Sequence, residues 1–437
     1  MNTGILGVDD PSAKKKGMRK IILLAVTVLL SVSVVSCGLY PNLSGKKRNS
    51  SDNDPDSEPV NLKAYDAYMS DVLRVVFSDA GDENYAFSPL NLYLALSMTA
   101  ETTDGDSLQQ ILDVLHQPDL DSLRSSSEDL LRSCLLEETN EKLLLGNSLW
   151  MNSDWDFNQA VIDSMSEYYQ ASAFSGDPSS EEFNRKLQEW LHTQTEGLID
   201  TSTYRMDPGM VLGLYSTVDY AGKWSRPFES EGVPGYIFHA PSGDISSDFL
   251  QLENITLREY YGDHFSCVVK DINKNGSVRF VLPEEGMTPK ELLQDEELLH
   301  FMSANPEKWE KTTLHKNAKM MMPQIDFTSR LEMTDMLEKL GVKDIFQSSD
   351  ADFSRVSENP QGLEISSIEQ ENRIVMDRDG VKAASITSSV EICWGISEEP
   401  EMDWKFILDR PFLFEIVSES GVPLFVGIVN VPWKYIW

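Results

Sequence analysis

Residues 84–98 read Asn-Tyr-Ala-Phe-Ser-Pro-Leu-Asn-Leu-Tyr-Leu-Ala-Leu-Ser-Met, and this stretch goes furthest toward deciding the fold. Ser88 is a favourable residue before a helix, and Pro89 suits the first helical position, where its missing N–H would have no partner. The apolar residues that follow keep helical spacing through Met98. The stretch therefore predicts a helix that begins at Ser88-Pro89.

Helices and strands are distributed unevenly around this stretch. Helical apolar spacing recurs at residues 62–77, 107–115 and 182–195. Strand-like apolar runs bounded by Gly, Pro and other turn residues come later, at 278–282, 412–416 and 424–431. No regular alternation of strand and helix is present. Helices first and strands later predict an α+β fold with a large mixed sheet.

The N-terminus has the pattern of a secretory signal. Five basic residues between Lys14 and Lys20 precede an apolar run from Ile21 to Val35, which is short for a membrane span. The next residues, Ser36-Cys37-Gly38, resemble the lipobox at which bacterial prolipoproteins are lipidated on Cys and cleaved before it. Residues 1–36 are thus predicted to be a signal peptide, with Cys37 anchoring a cell-surface lipoprotein to the membrane outside the cytoplasm. An uncleaved anchor and an ordinary secreted protein are the alternatives.

A polar segment, residues 37–60, connects this signal to the rest of the chain. It is rich in Ser, Asn, Asp, Pro and Lys, so it has too little apolar surface to order itself. Residues 61–437 contain no second linker and no internal repeat. They are predicted to form one large domain after a disordered tether.

The charge balance is strongly acidic, with 37 Lys and Arg against 71 Asp and Glu. Too few basic groups are left to neutralise phosphates, which excludes a nucleic-acid-binding protein. The acidity favours solubility and attraction to basic partners, and carries no information about the fold.

Few residues point to an enzyme, a metal site or a cofactor. With Cys37 set aside for lipidation, three cysteines remain: Cys134, Cys267 and Cys393. They are odd in number and lack metal-ligand spacing, so neither a zinc site nor a disulfide framework is predicted. Cys134 and Cys267 are expected to be buried. The histidines are scattered, without protease or nucleophile-elbow spacing, and are expected at the surface or in ordinary hydrogen bonds: His116, His192, His239, His264, His300 and His315.

Seven motifs in order resemble the serpin family, from about residue 61 to 432. They are Asn84–Leu90 with Ala95–Met98, Thr217–Phe228 with its Gly222-Lys223-Trp224 corner, Phe280–Pro283, Met322–Phe327, Leu340-Gly341, Phe406–Phe414 and Pro423–Asn430. The resemblance implies the serpin fold: a large central mixed sheet, smaller sheets, eight or nine helices and an exposed reactive loop. It also implies a monomer that inhibits a serine protease once and is not an enzyme.

The segment from Asp377 to Thr387 is similar to the serpin hinge, which slides into the central sheet after the loop is cut. Side chains alternate along a strand, so every second residue would face the core. That inward set is small and uncharged, whereas Lys382 falls on the outward set. The composition favours an inhibitory member. The predicted hinge residues are Gly380, Val381, Ala383, Ala384, Ser385 and Thr387.

The family's usual distance from Gly380 places the reactive bond between Trp394 and Gly395. Val381 to Trp394 would then span about 46 Å at ~3.3 Å per residue. Counting back from Arg410-Pro411-Phe412 reaches Pro400 instead, because this loop is longer than usual, so positions from Ile392 to Pro400 stay open. Trp394 is preferred because surplus strand length would let the acyl-enzyme relax and hydrolyse. An aromatic residue there suits a chymotrypsin-like or subtilisin-like protease with a hydrophobic specificity pocket.

A polar cluster of Ser, Asn and His holds the sheet closed in most serpins. The matching positions here are Ser88, Asn91, Ser216 and Gln370, with Gln370 expected to replace His as hydrogen-bond donor. Trp224 is expected at the corner of the sheet. Arg378 stands where the family usually has Glu, which puts the family's ion pair at that position in question.

Two other functions remain open. A non-inhibitory serpin acting as a binding protein would share every motif except a hinge suited to fast insertion. A lipoprotein of another class, such as a glycan-binding or transport component, would require the ordered motifs to be coincidental.

Overall fold

The computed structural model describes residues 25–29, 62–134, 136–138, 141–197, 199–229, 232–274, 276–303, 306–357, 360, 362–382 and 404–432. Nine α-helices and seventeen β-strands lie within these ranges. No helix in this part of the chain is long and apolar enough to cross a membrane.

The helices concentrate in the first half of the chain, and one of them is central. Every residue of α2 is buried, including the polar Asn91, Ser97 and Thr99, so this helix is covered on all sides rather than on one face. Ser88 caps it, because its Oγ accepts a hydrogen bond from the Asn91 N–H. The helices are α1 (Lys63–Val76), α2 (Pro89–Ala100), α3 (Gly105–Val114), α4 (Leu120–Cys134), α5 (Gln159–Tyr169), α6 (Glu181–Gln194), α7 (Pro289–Leu292), α8 (Glu296–Ser303) and α9 (Thr334–Leu340).

The strands form two sheets of eight and nine members. In chain order they are β1 (Ala25–Leu29), β2 (Tyr85–Phe87), β3 (Leu136–Glu138), β4 (Glu141–Asn152), β5 (Ser172–Gly176), β6 (Leu212–Lys223), β7 (Val233–Ala240), β8 (Gly243–Tyr261), β9 (Phe265–Ile272), β10 (Gly276–Pro283), β11 (Thr312–Pro323), β12 (Ile325–Glu332), β13 (Ser367–Met376), β14 (Gly380–Lys382), β15 (Trp404–Ile407), β16 (Phe412–Val417) and β17 (Pro423–Val429).

The eight-stranded sheet, here called the central sheet, contains β1, β3–β6 and β12–β14. Its two middle strands, β6 and β13, run parallel to each other and do not pair directly. Two short strands lie between them instead: β14 at one end, antiparallel to both, and β1 at the other, parallel to both. The middle of the sheet is thus a place where strands can be added.

The nine-stranded sheet follows the order β15-β11-β8-β9-β10-β16-β17-β2, with β7 paired to β8. Its strands β16 and β17 are buried along their whole length. Apart from Glu415 in β16, they have the apolar sequences expected of strands covered on both faces. One hydrophobic cluster extends from α1 through both sheets to β17.

The predicted α+β class with a large mixed sheet is confirmed, as are the predicted helices and strands, with small shifts at their ends. The expected order of helices first and strands later is too simple. Strands β4, β5 and β6 lie between helices along the chain and build the central sheet. Helix α4 was missed because its run Ser125-Ser126-Ser127 reads as a loop, although its apolar face is regular.

Candidate functional site

The hinge begins where β13 turns into β14. The Asp377 carboxylate closes this turn by accepting hydrogen bonds from the Asp379 N–H at 2.8 Å and the Gly380 N–H at 3.1 Å. Val381 then lies opposite Met376 of β13 and Gly222 of β6, and only 3% of it is exposed. The first predicted inward residue of the hinge is therefore buried between the two middle strands.

Gly380 is required by the close approach of β6. A Cβ placed on Gly380 would lie 2.2 Å from the Gly222 carbonyl oxygen, which belongs to the backbone and has little room to move. A residue with a side chain would have to push the two strands apart. Glycine therefore lets the hinge start inside the sheet.

Trp224, the residue predicted at the sheet corner, contacts the same turn from the side. Its Nε1–H donates to the Asp377 carbonyl at 2.9 Å, and its backbone N–H donates to the Asp379 carbonyl at 3.1 Å. The Phe228 N–H donates to the Arg378 carbonyl at 3.0 Å. Arg378 pairs with its neighbour Asp379 at 3.3 Å, so in this chain an ion pair is formed within the turn itself.

The predicted sheet-closing cluster is assembled under the middle of the central sheet. Ser88 and Gln370 exchange two hydrogen bonds: the Ser88 N–H donates to Gln370 Oε1 at 2.7 Å, and Gln370 Nε2 donates to the Ser88 carbonyl at 3.1 Å. Asn91 Nδ2 donates to the Ser216 carbonyl at 3.4 Å. Through these bonds helix α2 holds both β6 and β13, and Gln370 has the donor role expected of it.

Asn372 also belongs to this cluster and was missed. Its Nδ2 donates to Gln370 Oε1 and to the Ala86 carbonyl, each at 2.9 Å. Gln370 and Asn372 are two residues apart on β13, so they share one face of the strand. Two amides at that spacing in an otherwise buried strand were the available signal.

The cluster contains spare hydrogen-bonding capacity. Among the described residues, Asn91 Oδ1, Ser216 Oγ and Asn372 Oδ1 are buried and have no hydrogen-bond partner. Such atoms are costly in a protein interior, by about 1–3 kcal/mol each. They lie beneath the same part of the sheet that β1 crosses, where Val28 is opposite Ser216 on one side and Gln370 on the other.

Several predicted site residues lie outside the described part of the chain: Cys37, Ala383, Ala384, Ser385, Thr387, Cys393, Trp394 and Gly395. Of Lys382, only the backbone is described. Within the described ranges, no group of three or more His, Cys, Asp or Glu side chains is arranged to hold a metal ion. Cys134 and Cys267 are buried free thiols, as expected. Burial raises the pKa of Cys134 to about 12, so this thiol is unreactive at neutral pH.

The chain matches known proteins over most of its length. The family model described as Serpin (serine protease inhibitor) matches residues 63–432. Alpha-1-antitrypsin 1-3 of Mus musculus is 25% identical over 394 residues, covering 87% of this chain and 91% of that protein. Plasma serine protease inhibitor of Bos taurus is 24% identical, covering 84% and 89%.

Solved structures share the fold. Tengpin, described as a thermophilic serpin in the native state, superimposes with a TM-score of 0.71 at 25% identity, covering 84% of this chain and 94% of that one. A thyroxine-binding globulin complex with thyroxine reaches 0.72 at 18% identity, covering 85% and 99%. Because that family model covers most of its length, this chain belongs to the serpin family.

Proposed function

We propose that this chain is a suicide-substrate inhibitor of extracellular serine proteases, acting by insertion of its cut reactive loop into the central sheet. Protease inhibitors among its relatives support this class of function. The hinge geometry supports the mechanism, because β14 already pairs with both middle strands.

The register of β14 is the observation that carries the proposal. Val381 lies opposite Gly222 on β6 and Met376 on β13. Extending β14 along the gap by the same antiparallel pairing would bring Thr387 opposite Ser216 on one side and Gln370 on the other. The pairing with β6 and the pairing with β13 thus give the same register for the extended strand. A continuous strand would therefore fit between them without a bulge.

That register would also place a hydroxyl over the polar cluster. Thr387 has the same parity as Val381, whose side chain is buried, so Thr387 would face inward. Its hydroxyl can donate to Asn91 Oδ1 or bond with Ser216 Oγ, two atoms that otherwise lack partners among the described residues. Insertion would therefore give hydrogen-bond partners to buried polar atoms that lack them among the described residues.

The chemistry is supplied by the protease. Its serine oxygen attacks the Trp394 carbonyl carbon, the Trp394–Gly395 peptide bond breaks, and the new Gly395 amine takes a proton from the protease histidine. The loop, now free at one end, inserts as a strand and carries the acyl-linked protease across the sheet. Release of stored strain drives this step. The protease is distorted before water can hydrolyse the ester.

A protease with a deep hydrophobic specificity pocket, chymotrypsin-like or subtilisin-like, is the partner that Trp394 would suit. Signal-peptide removal and lipidation at Cys37 would hold the inhibitor at the outer surface of a bacterial membrane. A non-inhibitory binding protein is the alternative, and the thyroxine-binding globulin that shares this fold, solved in complex with thyroxine, is the similarity that supports it.

The direct test mixes residues 37–437 with chymotrypsin and resolves the products on a denaturing gel, with mass spectrometry of the released peptide. We expect a stable covalent band and cleavage after Trp394. Trp394→Ala, as the matched control, should lose the band with chymotrypsin but keep an intact fold. Complete cleavage without a covalent band would contradict inhibition of this protease class, and cleavage near Pro400 would overturn the loop register.

A further inference from the structure

Lys270 is a buried lysine directly beneath the hinge corner. It lies on β9, and only 7% of the residue is exposed. Its Nζ lies 5.0 Å from the ring centre of Trp224 and 4.6 Å from that of Phe228, and it donates a hydrogen bond to the Arg226 carbonyl at 2.7 Å. The ammonium group is therefore enclosed by the segment that fastens the hinge turn.

The two rings that Lys270 contacts belong to the residues that hold the turn. Trp224 donates two hydrogen bonds to the carbonyls of Asp377 and Asp379, and Phe228 donates one to that of Arg378. The rings pack edge to face with centres 6.0 Å apart. One cation thus fixes the relative position of both residues, and through them three successive carbonyls of the turn.

A charge at this position has a cost that an apolar side chain would avoid. Burial lowers the pKa of Lys270 to about 8, with Arg226 acting in the same direction and Asp271 opposing it. Ring faces and a carbonyl offset this cost only when they are correctly placed. The free energy of the buried ammonium group therefore depends on the positions of the Trp224 and Phe228 rings. An uncharged methionine of similar length would not depend on them in this way.

We propose that Lys270 is a positioning residue for the hinge: its cation holds Trp224 and Phe228 against residues 377–380 and so keeps the uncut loop from entering the sheet. The inference rests on the proposed function for its consequence, premature loop insertion. The structural part of the inference, that the Lys270 charge keeps the turn closed, does not depend on that function. Hydrogen–deuterium exchange measures it separately.

The test compares Lys270→Met, which keeps length and apolar stem, with Lys270→Arg, which keeps the cation. Hydrogen–deuterium exchange of peptides covering residues 224–228 and 377–382 reports whether the turn is closed. We expect exchange there to be about tenfold faster in Lys270→Met and close to wild type in Lys270→Arg. Lys311→Met, which removes an exposed charge held by Asp263 and Glu297, should leave this region unchanged.

The functional consequence is measured as loss of inhibitory activity on storage without protease at raised temperature. Lys270→Met should lose activity about tenfold faster than wild type, and Lys270→Arg should not. Equal exchange rates in Lys270→Met and wild type would overturn the proposal, and so would equal acceleration in Lys270→Met and Lys270→Arg.

If Lys270→Met proves insoluble, Phe228→Leu, which removes one of the two rings, takes its place. An unchanged exchange rate in Phe228→Leu would overturn the proposal equally.

If wild type never forms a covalent complex, the proposed function fails while the exchange comparison still decides whether Lys270 positions the turn. If the complex forms but exchange is insensitive to Lys270→Met, the proposed function stands and this inference fails.

Discussion

The middle of the central sheet and the β16–β17 pair of the second sheet are built on opposite principles. Strands β16 and β17 are buried and paired along their length, and apart from Glu415, which is paired with Arg279, their side chains are apolar. Strands β6 and β13 are separated by short strands and lie over a layer of amides and hydroxyls, some of which have no hydrogen-bond partner within the part of the chain that the structure describes. The β16–β17 pair leaves no room for a further strand between its members. In the proposed mechanism, by contrast, an entering strand would replace bonds within the central sheet.

The largest effect should come from a charge on the inward face of the entering strand. Thr387→Arg would have to bury a guanidinium over the Ser216–Gln370 pair, at a cost of several kcal/mol. We expect the molar ratio of inhibitor to protease needed for full inhibition to rise at least tenfold, because hydrolysis of the acyl-enzyme would outpace insertion. Ile386→Arg, on the outward face, is the matched control and should stay near wild type. Similar behaviour of both variants would contradict the inward register.

The N-terminal strand offers a second way to sharpen the comparison. Ala25–Leu29 takes up the same edges of β6 and β13 that the loop would need on insertion. These residues lie within the predicted signal peptide, so a chain of residues 37–437 should inhibit several-fold more efficiently than the full chain. Val28→Pro in the full chain removes a ladder donor and should restore efficiency. Equal inhibition by both lengths would show that β1 does not compete with the loop.

Weakening the polar layer should have a smaller but clear effect. Gln370→Ala leaves the Ser88 N–H and the Asn372 amide without their bonds to Gln370 Oε1. The expected cost is about 2–3 kcal/mol, seen as a Tm lower by several degrees. Gln109→Ala, which removes one exposed bond within α3, is the control and should shift the Tm little. An unchanged Tm for Gln370→Ala would mean that the cluster does not hold the sheet closed.

The smallest effect concerns the second sheet and its pH dependence. Burial raises the pKa of Glu415 to about 7, although the ion pair with Arg279 at 3.0 Å opposes the shift. The folded protein thus binds a proton more tightly than the unfolded chain. The stability that this proton contributes is full below the ordinary glutamate pKa and is lost as pH rises through about 7.

Glu415→Gln should therefore flatten the fall in Tm between pH 5 and pH 8. Asp66, whose pKa burial raises to about 6, contributes in the same direction and leaves a residual slope. A slope identical to wild type would show that Glu415 does not titrate in this range.

Much of the fold follows from local pattern in the sequence. The Ser88-Pro89 start, the apolar run of α2 and the turn-bounded strands β10, β16 and β17 all depend on neighbours in the chain, and all were predicted. The cluster residues Ser88, Asn91, Ser216 and Gln370 could be named because ordered motifs resemble a known family. Their bonds join residues more than a hundred positions apart, and only the structure shows them.

The parts that could not be predicted depend on packing between distant strands. Lys270 looks like an ordinary strand residue until β9 is placed against Trp224 and Phe228. Gly380 resembles a simple turn glycine until Gly222 approaches it. The spacing of Asn372 from Gln370 was visible in the sequence, but its hydrogen bonds to Gln370 and to the Ala86 carbonyl depend on how β13 packs.

The central claim is that the cut loop becomes a strand of the central sheet. Its most direct test is the thermal stability of the chain of residues 37–437 before and after a single cut between Trp394 and Gly395, made by a protease that is then removed. Insertion would add a paired strand and satisfy the cluster, so the cut protein should unfold at least about 5 °C above the intact one, because each kcal/mol gained raises the Tm of a chain of this size by about 1–2 °C. An equal or lower Tm after the cut would show that the loop stays outside the sheet and would contradict the account.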